Sequence, residues 1–231
     1  MVAKNPNLRA VLSDSNVELI NCYNMVKNDL GSVIRLLKKH RNDKHHFYAV
    51  RALDVSQLSP AERAARLIFL NKTCFNGLYR VNRKGQFNVP FGRYTNPKIC
   101  DEVNLRAAER ALCNTKIVTA NFEAVAAQAK QGDFVYLDPP YQPLNATSNF
   151  TSYTRNSFGV SDQERLANLF KKLTDKGCYA MLSNSDTPLI RELYSEFRIE
   201  TVYANRAINS KGDKRGRVAE VSIINYSSNA D

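Results

Sequence analysis

The chain has 231 residues, 43% hydrophobic and 24% charged, the proportions of a soluble globular protein rather than a disordered one. Thirty-three Lys and Arg stand against 22 Asp and Glu, a net charge of +11, which favours a nucleic-acid partner, although charge alone does not separate DNA from RNA or from an anionic membrane surface. No apolar run approaches the ~20 residues of a membrane span. The start, Met1-Val2-Ala3-Lys4-Asn5-Pro6, carries no apolar leader segment, so a cytoplasmic protein without a membrane partner is expected.

Residues 10–14 read as a short strand ending in Asp14. Residues 16–29 read as a helix, with Val17, Ile20, Tyr23 and Val26 at helical spacing, and a second helix is expected over 31–42. Ser59-Pro60-Ala61-Glu62 is a helix start: a capping serine, proline in the first turn, and glutamate three residues after the cap. Residues 71–100 change character, being rich in Asn, Gly and Arg with interleaved aromatics. A helix is expected over 104–113, a strand over 116–120, a helix over 122–130 and a strand over 133–138. Ser161-Asp162-Gln163-Glu164 resembles a second capping box, opening a helix to about 176. A strand over 178–182, a helix over 187–196 and strands over 198–203 and 218–226 follow. The last two suit an antiparallel hairpin at a sheet edge, joined by the basic stretch 211–217. Such alternation predicts an α/β fold with a mostly parallel sheet and helices on both faces.

Cys22, Cys74, Cys100, Cys113 and Cys178 are odd in number, widely spaced and without a C-x-x-C pair. Reduced thiols are expected, and no metal site. His40, His45 and His46 fall in a charged helical stretch and are expected on a solvated face.

Asp138-Pro139-Pro140-Tyr141 follows the apolar run Phe134-Val135-Tyr136-Leu137. Ligands of open α/β sheets bind at the carboxyl ends of strands. Two consecutive prolines lack N–H donors and have fixed φ, so the turn is stiff. It can present the Asp138 carboxylate, the Pro139 carbonyl and the Tyr141 ring to one planar ligand. An exocyclic amine on a purine or pyrimidine suits that set; the competing reading is a tight turn with a core tyrosine.

Residues 76–94 form the second informative segment. Asn82 to Gly85 suits a hairpin turn, with Gly85 free to take positive φ. Arg80, Arg83, Lys84 and Arg93 are available for phosphates or base edges, and Phe75, Tyr79, Phe87, Phe91 and Tyr94 for wedging or stacking. A basic ribbon of this kind can enter a DNA groove. The alternative is a solvated hairpin whose aromatics pack on the body.

Together the Asp138–Tyr141 turn, this hairpin and Val11-Leu12-Ser13-Asp14-Ser15-Asn16 resemble the Dam-type, D12-class DNA adenine-N6 methyltransferases in their alpha arrangement. The similarity extends to 143–153 and to Ser183-Asn184-Ser185-Asp186-Thr187, and so over almost the whole chain. The resemblance implies a Rossmann-like S-adenosylmethionine-dependent catalytic domain over 1–30 and 115–231. An inserted helical and β-hairpin recognition region over 31–114, with its hairpin at 75–95, is implied as well. It implies base flipping, with Asp138, Pro139, Pro140 and Tyr141 as the catalytic set. Asp14, Phe122 and Asp138 are implied as cofactor contacts, and the 143–153 loop as a cover over the flipped base. Phe75, Asn76, Leu78, Arg80, Pro90 and Tyr94 match the positions that contact DNA. The implied partner is double-stranded DNA, the implied target 5′-GATC-3′, and a monomer without metal is expected.

The chain departs from the family at its start. An F-x-x-W-x-G-G-K-like segment and a strand ending in an E-P-F-x-G-x-G-like loop are expected there, and none of the first thirty residues is glycine. A first strand and glycine loop missing from the sheet would leave Val11-Leu12 and Phe134-Val135 without a partner between them, with weakened cofactor binding. Two competing readings follow from other classes: a truncated, catalytically silent protein that only binds DNA, and an amino methyltransferase acting on cytosine N4, RNA or glutamine. The latter more often carry Ser or Asn where Asp138 stands and lack the hairpin.

Overall fold

The computed structural model describes residues 8–82, 84–144, 158–205 and 217–227. The chain divides into two compact units, Met1–Phe122 and Glu123–Asp231. The mixed α/β architecture expected from the alternation of elements holds.

In the first unit, β1 (Ala10–Asp14) pairs in parallel with β2 (Thr115–Thr119), in register from Ala10↔Thr115 to Asp14↔Thr119. Five helices lie between them in sequence: α1 (Val17–Asn28), α2 (Leu30–Leu37), α3 (Lys44–Ala52), α4 (Pro60–Thr73) and α5 (Glu102–Leu112). Helix α1 starts where the Asn16 side chain accepts the N–H groups of Glu18 and Leu19 at 3.0 and 3.2 Å. Helix α4 starts at the expected capping box. Ser59 N–H donates to Glu62 Oε2 at 2.8 Å, and Glu62 N–H returns to Ser59 Oγ at 3.4 Å. Its buried side chains, Ala65, Phe69 and Leu70, share one apolar core with Leu30, Val33, Ile34 and Leu37 of α2 and with Phe47 of α3.

The helix expected over 31–42 ends at Leu37, and α3 is a separate helix. No apolar residue lies between Leu37 and Phe47 to keep one helix on the core. Asp43 also accepts the His46 N–H at 2.7 Å and so caps a new start. This break pulls two of the histidines inward. His40 stacks on Phe69 at 4.3 Å between ring centroids, and its Nδ1 lies 2.9 Å from His46 Nε2. Burial, with the neighbouring His46, lowers the His40 pKa to about 4. The solvated face expected for all three holds for His45 alone.

The hairpin is anchored to the end of α4 by a close backbone approach. Gly92 N–H donates to Thr73 O at 2.8 Å, and a Cβ on Gly92 would stand 2.7 Å from the Cys74 carbonyl oxygen. Gly92→Ala is therefore expected to destabilise the fold by about 1–3 kcal/mol, read as a lower urea midpoint. An unchanged midpoint would show that the strand can move away from α4.

The second unit contains α6 (Ala124–Gln128), β3 (Phe134–Leu137), α7 (Val160–Asp175), β4 (Tyr179–Ser185), α8 (Pro188–Leu193), β5 (Arg198–Asn205) and β6 (Arg217–Ile224). The strand order is β3-β4-β6-β5. β3 and β4 are parallel, whereas β6 returns between β4 and β5 and is antiparallel to both. The sheet is thus less parallel than its sequence alternation implies, while the expected antiparallel pairing of the last two strands at a sheet edge holds, with β5 outermost. The linker at 211–216 lies outside the described residues.

Period-two alternation sets the buried face. Leu137, Ala180, Leu182, Val221 and Ile223 are buried, and α7 contributes Leu166, Ala167, Phe170 and Leu173. Helix α7 begins at Val160, one residue before the serine expected to cap it. Asp162, in its first turn, accepts the Gly159 N–H at 2.9 Å. Among the described residues, β1 and β3 are each paired on one side only. Val11 is 57% exposed and Phe134 42%.

Candidate active site

Strand β3 ends at Leu137, level with Leu182 of the parallel β4, so Asp138 emerges at the carboxyl end of β3 while β4 runs on to Ser185. The antiparallel β6 begins at that same end and places Glu220 opposite Ser185. Asp138 remains open to water at its surface. Partial burial of its carboxyl nevertheless raises its pKa, and the Glu220 charge adds to the effect. Burial likewise raises the Tyr141 hydroxyl, with Asp138 and Glu220 contributing, while a hydrogen bond from Ser183 opposes the shift. Ser183 also lies 2.9 Å from the Tyr136 hydroxyl. The expected set Asp138, Pro139, Pro140 and Tyr141 thus sits beside Glu220, which no sequence signal singles out, and beside Ser183, which belongs to the family-like segment 183–187 but has no role assigned from sequence.

Two further residues fall within the segment 183–187 and the 161–164 capping box but have no site role assigned from sequence, because they look like ordinary polar positions. Asn184 accepts the Gln142 N–H at 2.8 Å, and Gln163 donates to Pro140 O at 3.0 Å. Both occupy core-facing phases. Asn184 follows Ala180 and Leu182 at period two, and Gln163 precedes Leu166, Ala167 and Phe170 at helical spacing. A polar residue in an apolar phase was the available signal.

In the first unit, Asp14 ends β1 in register with Thr119, and Phe122 lies three residues beyond the end of β2. The parallel pairing brings these two expected residues to one end of one sheet. The Asp14 carboxylate accepts the Asn16 N–H at 2.7 Å, and the Phe122 ring is partly exposed.

The hairpin forms as expected. Gly85 N–H donates to Asn82 O at 2.8 Å with Gly85 at φ 77°, and Val81 bridges to Phe87. Arg83 lies outside the described residues. The aromatics divide. Phe87 is buried against Tyr79, with centroids 5.9 Å apart, and Phe91 packs on Phe47 at 5.4 Å. Phe75 and Tyr94 stay exposed, at 45% and 42%. Phe75 N–H donates to Pro90 O at 2.9 Å, which joins two expected DNA-contacting residues through their backbones. Asn76 adopts φ 54° beside Gly77 at φ 61°, a left-handed pair that turns the chain toward Leu78. Leu78 is half-buried and Arg80 exposed. The Arg80 guanidinium is held by Asn88, through Nε to Oδ1 at 2.7 Å and Nη2 to the carbonyl at 3.3 Å. The side chains of 145–153, expected to cover a flipped base, lie outside the described residues.

The second unit thus carries a strand-end acid followed by two prolines, and the first a basic hairpin with exposed aromatics. The model of the D12 class N6 adenine-specific DNA methyltransferases matches residues 1–208. Type II methyltransferase of Lactococcus lactis subsp. cremoris is 45% identical over 226 residues, covering 94% of this chain and 80% of that protein. A Type II methyltransferase of Methanocaldococcus jannaschii is 46% identical over 232 residues, with the same coverage of 94% and 80%. DNA adenine methylase of Escherichia coli (strain K12) is 35% identical over 220 residues, covering 94% of this chain and 79% of that protein. The chain belongs to the D12 class of N6 adenine-specific DNA methyltransferases.

Proposed function

We propose that the protein transfers a methyl group from S-adenosylmethionine to adenine N6 in double-stranded DNA, within GATC. The observation that carries this reading is the Asp138 carboxylate at the end of β3, raised in pKa and followed by Pro139, Pro140 and a half-buried Tyr141. With the target base turned out of the duplex, the Asp138 carboxylate and the Pro139 carbonyl accept its two N6 hydrogens. Those bonds hold the nitrogen lone pair out of ring conjugation, and Tyr141 stacks on the base. A carboxylate of raised pKa is also the better proton acceptor. N6 gains the methyl carbon as the carbon–sulfur bond breaks, the electron pair stays on sulfur, and one N6 proton passes to Asp138. Positioning and electrostatics suffice, and no nucleophilic cysteine is involved.

The donor set at the end of β1 and β2 fits the nucleoside part of S-adenosylmethionine, which supplies the methyl group when bound. Asp14 offers a strand-end carboxylate to ribose hydroxyls, and the partly exposed Phe122 ring offers a face to adenine. On the DNA side, Arg80 reads a base edge, Phe75 enters the stack, and Asn76, Leu78, Pro90 and Tyr94 line the hairpin surface around them. The net charge of +11 supports the duplex as partner.

Plasmid DNA from a methylation-deficient host expressing the chain tests the proposal. Protection from an endonuclease that cleaves only unmethylated GATC is expected. Full cleavage by a protein that still binds the duplex would overturn methyl transfer and leave a DNA-binding protein. Protection at other adenine sites would overturn GATC alone.

A further inference from the structure

We propose that the buried amide pair Gln163 and Asn184 is the positioning element of the catalytic turn. The two side chains fix the backbone on both sides of Tyr141, and so set where Asp138, the Pro139 carbonyl and the tyrosine ring meet the base. The inference rests on the reading of this turn as the adenine site.

The turn cannot hold itself. Pro139 and Pro140 have no N–H to donate, so the first donors beyond Asp138 belong to Tyr141 and Gln142. The structure supplies the missing hold from outside. Gln163 Nε2 donates to the Pro140 carbonyl at 3.0 Å, and Asn184 Oδ1 accepts the Gln142 N–H at 2.8 Å. The two amides are joined to each other, Asn184 Nδ2 to Gln163 Oε1 at 3.1 Å. Asn184 Oδ1 also accepts the Ser185 N–H at 2.8 Å, which ties the pair to β4.

The chemistry leaves one arrangement. Turning over either amide would place donor against donor or acceptor against acceptor. Gln163 is 1% and Asn184 0% exposed, and the residues that share their phases, Ala180 and Leu182 on β4 and Leu166, Ala167 and Phe170 on α7, are buried and apolar. Burying two amides at such positions is unfavourable unless they are paired, and leucine would fill the same space. What leucine cannot do is satisfy Pro140 O and Gln142 N–H. The amides therefore serve the turn and not the packing.

The test compares the full chain with Asn184→Leu, Asn184→Asp, Gln163→Leu and Asp138→Ala. Steady-state kinetics on a GATC duplex are measured across pH, with amide hydrogen exchange on the same proteins. Asn184→Leu and Gln163→Leu are expected to lower kcat about 10- to 100-fold while KM for DNA stays near the wild-type value. In Asn184→Leu the Gln142 amide should lose its protection while the Leu182 and Ile223 amides keep theirs, showing an intact sheet.

Asn184→Asp separates positioning from mere stability. Burial raises a carboxyl pKa, and the protonated acid offers one acceptor and one donor, as the amide does. Its kcat relative to wild type should therefore rise as pH falls. Taking that ratio removes the titrations of Asp138, Glu220, Tyr141 and Asp162, which both proteins share. A flat ratio, a wild-type kcat in Asn184→Leu, or a Gln142 amide that is unprotected in the wild type or still protected in Asn184→Leu would overturn the inference. Asp138→Ala with normal turnover would instead sink the adenine-site reading. An inactive Asp138→Ala beside a normal Asn184→Leu would sink the positioning role alone.

Discussion

Asp138→Ala is expected to lower methyl transfer by at least roughly 100- to 1,000-fold, the effect of removing one preorganised polar contact to a reacting group. Duplex affinity should stay near that of the wild type, because the hairpin is untouched and the net charge moves only from +11 (33 against 22) to +12 (33 against 21). Single-turnover methylation beside a DNA-binding titration checks both halves, and a variant with near-normal turnover would refute the role of Asp138. The conservative Asp138→Asn carries a second expectation, with opposite sign. Burial, then the Glu220 charge, raises the Asp138 pKa above its ordinary 3.8. The folded chain therefore holds that proton to higher pH than the unfolded chain does. The associated stability is present at low pH and lost as pH rises from 3.8 through the raised value. At neutral pH the ionised carboxylate is a net strain on the fold, so Asp138→Asn should raise Tm while removing activity. Wild-type turnover should fall as pH drops through the same raised pKa. A Tm unchanged or lowered by Asp138→Asn would show that the site holds its charge without strain.

Arg80→Ala is expected to reduce discrimination between GATC and singly substituted sites by about 1–3 kcal/mol, the contribution of one good bidentate base contact. The structure gives this expectation a geometric basis. Asn88 already holds Nε and Nη2 of Arg80, so the guanidinium is oriented before DNA arrives. Rates on cognate and substituted duplexes, measured at one salt concentration, decide the matter. If all sequences weaken equally, Arg80 contacts phosphate and reads no base. Asn88→Ala should shift discrimination in the same direction by less, since the guanidinium survives but must be ordered on binding.

Much of the first unit was legible because its signals are local. The Ser59–Glu62 capping box, the Asn82–Gly85 turn and the strand ending in Asp14 each depend on residues a few positions apart. Where locality failed, the reading failed with it. The stretch 31–42 reads as one helix, yet the helix ends at Leu37, Asp43 caps a new one, and His40 is drawn onto Phe69, which lies on α4. The Ser161 cap was displaced because Asp162 reaches back to Gly159. The hairpin aromatics could not be sorted by composition. Only packing shows Phe87 and Phe91 turned to the core and Phe75 and Tyr94 left in solvent.

The sequence by itself determined the local parts and the family: an acid, two prolines and a tyrosine after an apolar strand, a basic hairpin, and the class to which their order belongs. A stiff turn and a charged ribbon are properties of neighbouring residues, so they survive without coordinates. The tertiary structure alone decided what surrounds the carboxylate and what holds the turn. Glu220 lies 82 positions from Asp138 along the chain, and β6 brings it to the same end of the sheet. Gln163 and Asn184 come from a helix and a strand that meet only after folding. Desolvation, charge pairing and buried hydrogen bonds depend on distance in space, and the linear order of residues does not carry that distance.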